Sequence, residues 1–364
     1  MDRYPVARID LAALRHNLTC VRQLAPHSRV MSVIKADAYG HGILTAAEAL
    51  NESDAFAVAR LDEGVFLRQH GVTHPIVLLE GVNSEQDFIL AAEYQLSPLI
   101  HLHSQIQLLQ TITLPKPLSF NWLMIDSGMH RLGIRPEQAQ PALELLANCH
   151  NIVGELGLMS HFANSDLEAD PRNQSQLDYM LKLRQDTGLA LCLANSAAVV
   201  SLPESHQQWV RPGLMLYGIS PFSDKTGTTL DLKPVMQLTS KLIAVYDLEA
   251  GDEVGYGGDW TAEVATRIGV VSIGYGDGYS RHLSNNAEVL IRGNKAPVIG
   301  RVSMDTICIN LNHIEQAEVG DEVVLWGEPE LAVEQLANLA ETIPYELVTV
   351  VCQRVHREKI NGES

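Results

Sequence analysis

The chain is constrained first by a repeat of pattern rather than of sequence. Short apolar runs at 30–35, 55–59, 76–79, 96–100, 118–125, 154–160, 189–194 and 210–217 alternate with stretches of helical periodicity at 44–50, 61–69, 84–94, 104–109, 136–147 and 174–187. Parallel strands cannot be joined by a tight turn and need a crossover, usually a helix. Alternation at this spacing therefore predicts parallel β/α units, and eight of them suit a closed (β/α)8 barrel of the TIM type. Ahead of the first run, 6–10 alternates like a strand. Leu11, Leu14, Leu18 and Val21 then fall on one face of a helix for which Asp10 is the N-cap.

The pattern changes at 220–232, a polar segment with glycine and proline that reads as a linker. Beyond it, 235–246, 264–273, 288–291, 297–302, 306–310 and 322–325 are strand-like, and only 333–342 is helical. A chain of 364 residues exceeds one ordinary domain. The expectation is an α/β chain with a barrel domain at 1–225 and a mainly β domain at 226–364, residues 1–10 being able to serve as a strand of the second.

Charge narrows the function. Against 26 Lys and Arg stand 44 Asp and Glu, a formal net charge of -18, which disfavours nucleic acid and anionic membrane partners. No apolar run has the length of a membrane helix, and the opening MDRYPV lacks the zones of a signal peptide, so the expected location is cytoplasmic. Five cysteines, at 20, 149, 192, 308 and 352, are widely spaced and form no C-x-x-C pair, so they read as reduced thiols and no metal site is expected.

Barrels place their chemistry at the C-terminal ends of the strands. Lys35 ends the first run, in RVMSVIKADAYGHG (29–42). His161 ends the sixth, in LGLMSHF (156–162), and Ser196 follows the seventh, in ANS (194–196). The last run carries Arg211 and Gly213 in WVRPGLMLYG (209–218), where a glycine lets backbone approach an anion. DSGMHRLG (126–133), VGYGG (254–258), VSMD (302–305) and Pro344-Tyr345 complete the set. The run IGYGDG (273–278) has the spacing G-x-G-x-G with no βα unit after it, so it is not a dinucleotide fingerprint.

Taken in order, these motifs resemble those of the alanine racemases, fold type III enzymes that use pyridoxal 5'-phosphate. The resemblance implies that Lys35 carries the cofactor and is one catalytic base. Tyr39 and Tyr345 would touch the phosphate, as would Ser196, Gly213 and Leu214. Arg211 would donate to the pyridine nitrogen, with His161 bridging it toward a second base. That base would be Tyr256, contributed by the partner subunit of a homodimer with shared active sites. Arg131 and the Met304 backbone would hold the substrate, while Asp166, Tyr275, Arg281 and Arg301 would line its approach corridor.

The implied reaction is interconversion of L- and D-alanine, supplying D-alanine for peptidoglycan. The alternatives are a racemase of broader specificity or a fold type III amino-acid decarboxylase. Inverting a stereocentre requires a proton taken from one face and returned to the other, which calls for two bases. An unperturbed phenol titrates near 10, so positive charge relayed through His161 and Arg211 is expected to help Tyr256. One departure stands out. Many family members carry a carbamylated lysine seven residues before the arginine of the DSGMHRLG motif, and Met124 occupies that position here. Another anion is therefore expected to hold Arg131.

Overall fold

The computed structural model describes residues 4–362; residues 1–3 and 363–364, which fall within the expected domain bounds, lie outside the described residues. The chain divides into two units. The barrel unit comprises Asn17–Ala38 and Ala46–Leu216, and the β unit comprises the chain through His16, Tyr39–Thr45 and the chain from Tyr217 onward.

All eight apolar runs contribute strands to the barrel: Arg29–Val33, Ala55–Val58, Ile76–Leu78, Ser97–Ile100, Leu118–Met124, Ile152–Met159, Ala190–Cys192 and Trp209–Val210. Closure is parallel, with Arg29 opposite Trp209 and Val30 opposite Val210. Both faces of a barrel strand are covered, so its sequence is continuously apolar rather than alternating, and every residue of Ala55–Val58 and Ile76–Leu78 is buried. The crossover helices start and stop where local chemistry dictates. Before Pro171–Thr187, the Asp170 carboxylate accepts from the Arg172 amide at 2.9 Å, Pro171 takes the first helical position, and Gly188 ends the helix at a φ of 69°. Trp122 and Trp209 pack edge to face at 5.8 Å, with Phe120 beside both. Gly157 makes room for them, since a Cβ there would lie 2.5 Å from the Trp122 ring.

The β unit is organised on one strand of 13 residues, Met236–Leu248. It pairs antiparallel with Val6–Asp10, Glu322–Trp326 and Thr266–Val271. The ladder runs on from Thr266–Val271 through Ile307–Asn310, Asn294–Ile299 and Glu288–Ile291 to Glu322–Trp326, returning to the strand it left. Val6–Asp10 pairs on its other side with His356–Ile360. The Asp10 carboxylate caps the following helix, Leu11–Leu24, at the Ala13 amide.

Three readings of the sequence need correction and one strand was missed; beyond 333–342, expected as the second unit's only helix, Pro344–Thr349 is also helical. The run 210–217 is strand only to Val210, because Pro212 and Gly213 break it and Leu214–Tyr217 forms a 3-10 turn. The segment 220–232 is folded rather than a simple connector: the Glu334 carboxylate accepts from the Ser220 amide at 2.9 Å and the Gly227 amide at 2.7 Å. Strand His356–Ile360 was not legible, since HREKI carries charge where an apolar signal would be, as edge strands often do. Among the described residues no helix is long and apolar enough to cross a membrane.

Trp122 is 2% exposed, so Trp122→Ala is expected to cost about 3–5 kcal/mol. The measurement is the shift of the urea unfolding midpoint followed by circular dichroism.

Candidate active site

The first barrel strand ends at Val33, two residues before Lys35. Ile34 N still donates to the Ala57 carbonyl at 2.9 Å. After Lys35 the backbone turns left-handed through Ala36, Asp37, Ala38 and Tyr39, with φ values of 53°, 52°, 54° and 55°. Left-handed helix costs L-residues about 1–2 kcal/mol each, so the turn must be held by its surroundings. Lys35 is thus presented by a strained turn and not by the strand itself.

Burial holds the Lys35 amine below the ordinary lysine pKa, and the charges of Arg211 and Arg131 push the same way, with Glu63 and Glu80 opposing. Arg211 follows the last strand and is 6% exposed. Its Nη2 donates to the Ser160 carbonyl at 2.8 Å and lies 3.2 Å from His161 Nδ1. Burial, reinforced by Arg211, Arg131 and Lys35, keeps the His161 pKa well below that of free histidine. The imidazole is therefore neutral, and its Nδ1 can accept from the guanidinium. Arg211 Nε is buried with no hydrogen-bond partner among the described residues. A buried donor left unmatched is costly and marks a place for an acceptor from outside the chain.

Ser196 is buried at the start of helix Ser196–Ser201, and its Oγ accepts from the Gly213 amide at 2.9 Å and the Met215 amide at 3.3 Å. With both lone pairs used, its hydrogen is left to donate. Arg131 sits on the half-buried DSGMHRLG loop, its pKa lowered by partial burial and by Arg211. Met124 is buried at a strand end, and no acidic side chain of the described residues pairs with Arg131. Asp166 is exposed on the loop after Ile152–Met159. The barrel unit thus brings together Lys35, Arg131, His161 and Arg211, and separately Ser196 with Gly213.

Sequence reading missed the residues that secure these loops. The Asp126 carboxylate, 7% exposed, accepts from the His130 amide at 2.9 Å, His130 Nδ1 at 3.0 Å, Arg135 Nη1 at 3.2 Å and the Gly128 amide at 3.2 Å. Gln176 donates to the His161 carbonyl and to Ser127 Oγ and accepts from the Ala163 amide, each at 3.0 Å. Its only signal was a polar residue at buried helical spacing.

In the β unit, the ring of Tyr39 lies 4.8 Å from that of Tyr217 and 5.9 Å from that of Tyr345. Gly40 is required beside it, for a Cβ there would meet the Val348 carbonyl at 2.1 Å. Tyr256 stands on a turn between Glu253–Val254 and Trp260–Thr261 and is 67% exposed. The segment 301–304 is a shared seam for the other predicted residues. Arg301 is ion-paired to Asp259 beside the Tyr256 turn, Arg281 Nη1 donates to the Val302 carbonyl at 3.4 Å, and the Tyr275 and Gly276 amides donate to the Ser303 and Met304 carbonyls at 3.0 and 2.9 Å. The side chains of Tyr275 and Met304 are exposed.

Burial raises the Asp126 carboxyl pKa, but the His130 amide, the His130 imidazole and the Gly128 amide outweigh it, and the net value lies below the usual one. Its stabilisation is therefore complete above an ordinary carboxylate pKa of about 4 and lost as pH falls through the lower folded value. Asp126→Asn is expected to lower the melting temperature most near neutrality, the gap from wild type closing below about pH 4. A gap independent of pH, read by calorimetry across that range, would refute the assignment.

The family model described as Alanine racemase, N-terminal domain, matches residues 9–221, and that for the C-terminal domain matches 235–359. The chain is 46% identical over 354 residues to the alanine racemase of Nitrosococcus oceani, covering 97% of this chain and 99% of the relative. It is 44% identical over 355 residues to that of Aeromonas hydrophila, covering 98% and 99%. The crystal structure of the biosynthetic alanine racemase from Pseudomonas aeruginosa superposes with a TM-score of 0.92 at 40% identity, covering 99% of this chain and 100% of that one. With both family domains matched in order, and a barrel that gathers a lysine, two arginines and a neutral histidine at its strand ends, the chain belongs to the alanine racemase family and is an isomerase.

Proposed function

We propose that this enzyme interconverts L- and D-alanine with pyridoxal 5'-phosphate held on Lys35, using Lys35 and Tyr256 as bases on opposite faces of the substrate. The observation that carries the reading is the orphaned Nε of Arg211 in a cluster with Lys35, Arg131 and a neutral His161. The cofactor fits this donor set. A guanidinium only donates, and a pyridine nitrogen offers the lone pair that Arg211 Nε lacks. A lysine with a lowered pKa is more often the free amine that can bond an aldehyde. The Ser196 hydroxyl, with its hydrogen available, suits a phosphate oxygen, with Gly213, Leu214, Tyr39 and Tyr345 completing that contact set. The chemistry supplied by pyridoxal phosphate when bound is electron withdrawal that acidifies the α-hydrogen of an attached amino acid.

The chain's own residues do the rest. Arg211 keeps its partner nitrogen an acceptor and so unprotonated, which moderates electron withdrawal and favours proton return over side reactions. His161 accepts from Arg211 and fixes its plane. Arg131, which pairs with no acidic side chain of the described residues, attracts the substrate carboxylate together with the Met304 backbone. Lys35 Nζ takes or returns the α-proton on one face, and the Tyr256 phenol of a second copy does so on the other. The exposure of Tyr256 supports service to a partner, hence a homodimer with shared sites. Asp166, Tyr275, Arg281 and Arg301 would line the approach, Tyr275 and Tyr345 leaving room for little beyond a methyl group. We place the reaction in the cytoplasm, supplying D-alanine for peptidoglycan.

Purified protein mixed with L-alanine and pyridoxal phosphate should lose optical rotation until the enantiomers are equal; faster turnover of lysine or arginine, or release of carbon dioxide, would refute the reading. Lys35→Ala is expected to acquire no visible absorbance band from the cofactor. In deuterated water, Tyr256→Phe should slow inversion by about 10²-fold or more yet keep exchange into one enantiomer. Equal loss of exchange from both enantiomers would leave Tyr256 a structural residue.

A further inference from the structure

We propose that Glu63 is a positioning residue for Lys35, its carboxylate holding the Ala36 amide and thereby the left-handed turn that presents the lysine. The inference rests on the reading of Lys35 given above. Glu63 lies in the first turn of helix Leu61–Gln69. Its Oε2 accepts from the Ala59 amide at 2.8 Å and the Arg60 amide at 3.0 Å, the ordinary task of a glutamate at the third helical position. Its Oε1 instead reaches the Ala36 amide, 27 residues away, at 2.6 Å. Closing a helix start does not need that bond.

The sheet ladder explains why the turn does. In a parallel pair, alternate amides point to one neighbour. Ile34 N donates to the Ala57 carbonyl, but the next carbonyl that could serve Ala36, that of Ala59, is taken by the Glu80 amide at 3.0 Å. The Glu63 carboxylate replaces the missing sheet acceptor where the strand ends, directly after Lys35 and at the first residue of the strained turn. Its charge also opposes the depression of the Lys35 pKa by burial, Arg211 and Arg131.

The test is Glu63→Gln in the full chain, which preserves shape and an acceptor for the helix start. Titrated with pyridoxal phosphate, the variant should bind about tenfold more weakly, the scale of one charge-assisted hydrogen bond, and show altered visible circular dichroism of the bound cofactor. Wild type and Lys35→Ala are the references. Wild-type binding with an unchanged variant overturns the positioning role alone, whereas failure of wild type to bind overturns both readings. Hydrogen exchange on the wild-type holoenzyme needs no variant: protection of the amide of Ala36, an exposed residue outside the sheet ladder, is expected, and exchange at the rate of a free amide overturns the proposal.

Discussion

Positive charge gathered at one barrel end, and only partly offset there by Glu63 and Glu80, is the constraint on which this structure turns. Lys35, Arg131 and Arg211 act on one another through partly buried space, and each lowers the pKa of His161. Such an arrangement is unfavourable in an empty protein and favourable around an anionic ligand. The same repulsion makes the lysine easier to deprotonate and the histidine an acceptor. One electrostatic arrangement thus prepares an amine, a donor and a neutral relay together.

Several of the chain's buried or helix-start carboxylates are engaged by backbone amides. Asp126 gathers two amides, His130 and Arg135; Glu63 gathers three amides; Glu334 gathers two. Each carboxylate tightens a loop or turn that carries a functional side chain or joins two elements. A carboxylate engaged this way is well satisfied, and among the described residues no ion pair joins Arg131 or Arg211 to an acidic side chain. The net charge of -18 and a locally cationic barrel end therefore coexist without contradiction.

Much was legible early, for physical reasons that differ by element. Most barrel runs were visible because strands buried on both faces are continuously apolar, as Ala55–Val58 and Ile76–Leu78 are. The 11–24 helix was visible through its apolar stripe and Asp10 cap. Lys35, Arg211 and Ser196 were visible because they follow closely on strands, where apolar patterning stops abruptly. Glu63 and Gln176 were not, since one resembles a routine helix-start glutamate and the other offers only a polar side chain at a buried helical position, with no partner legible in the sequence. Strand His356–Ile360 was hidden because backbone pairing with Val6–Asp10 defines it, while its side chains stay polar.

By itself the order of residues determined the number of β/α units, the presence of a second β unit and the residue types available to an active site, because periodicity and composition are local properties. Only the tertiary structure decided that the lysine is followed by a left-handed turn, that the histidine is neutral and that, among the described residues, one arginine nitrogen lacks an acceptor and Arg131 has no acidic side-chain partner. Those properties depend on which groups approach across long stretches of sequence and on how much water they exclude, and neither is written in any single segment.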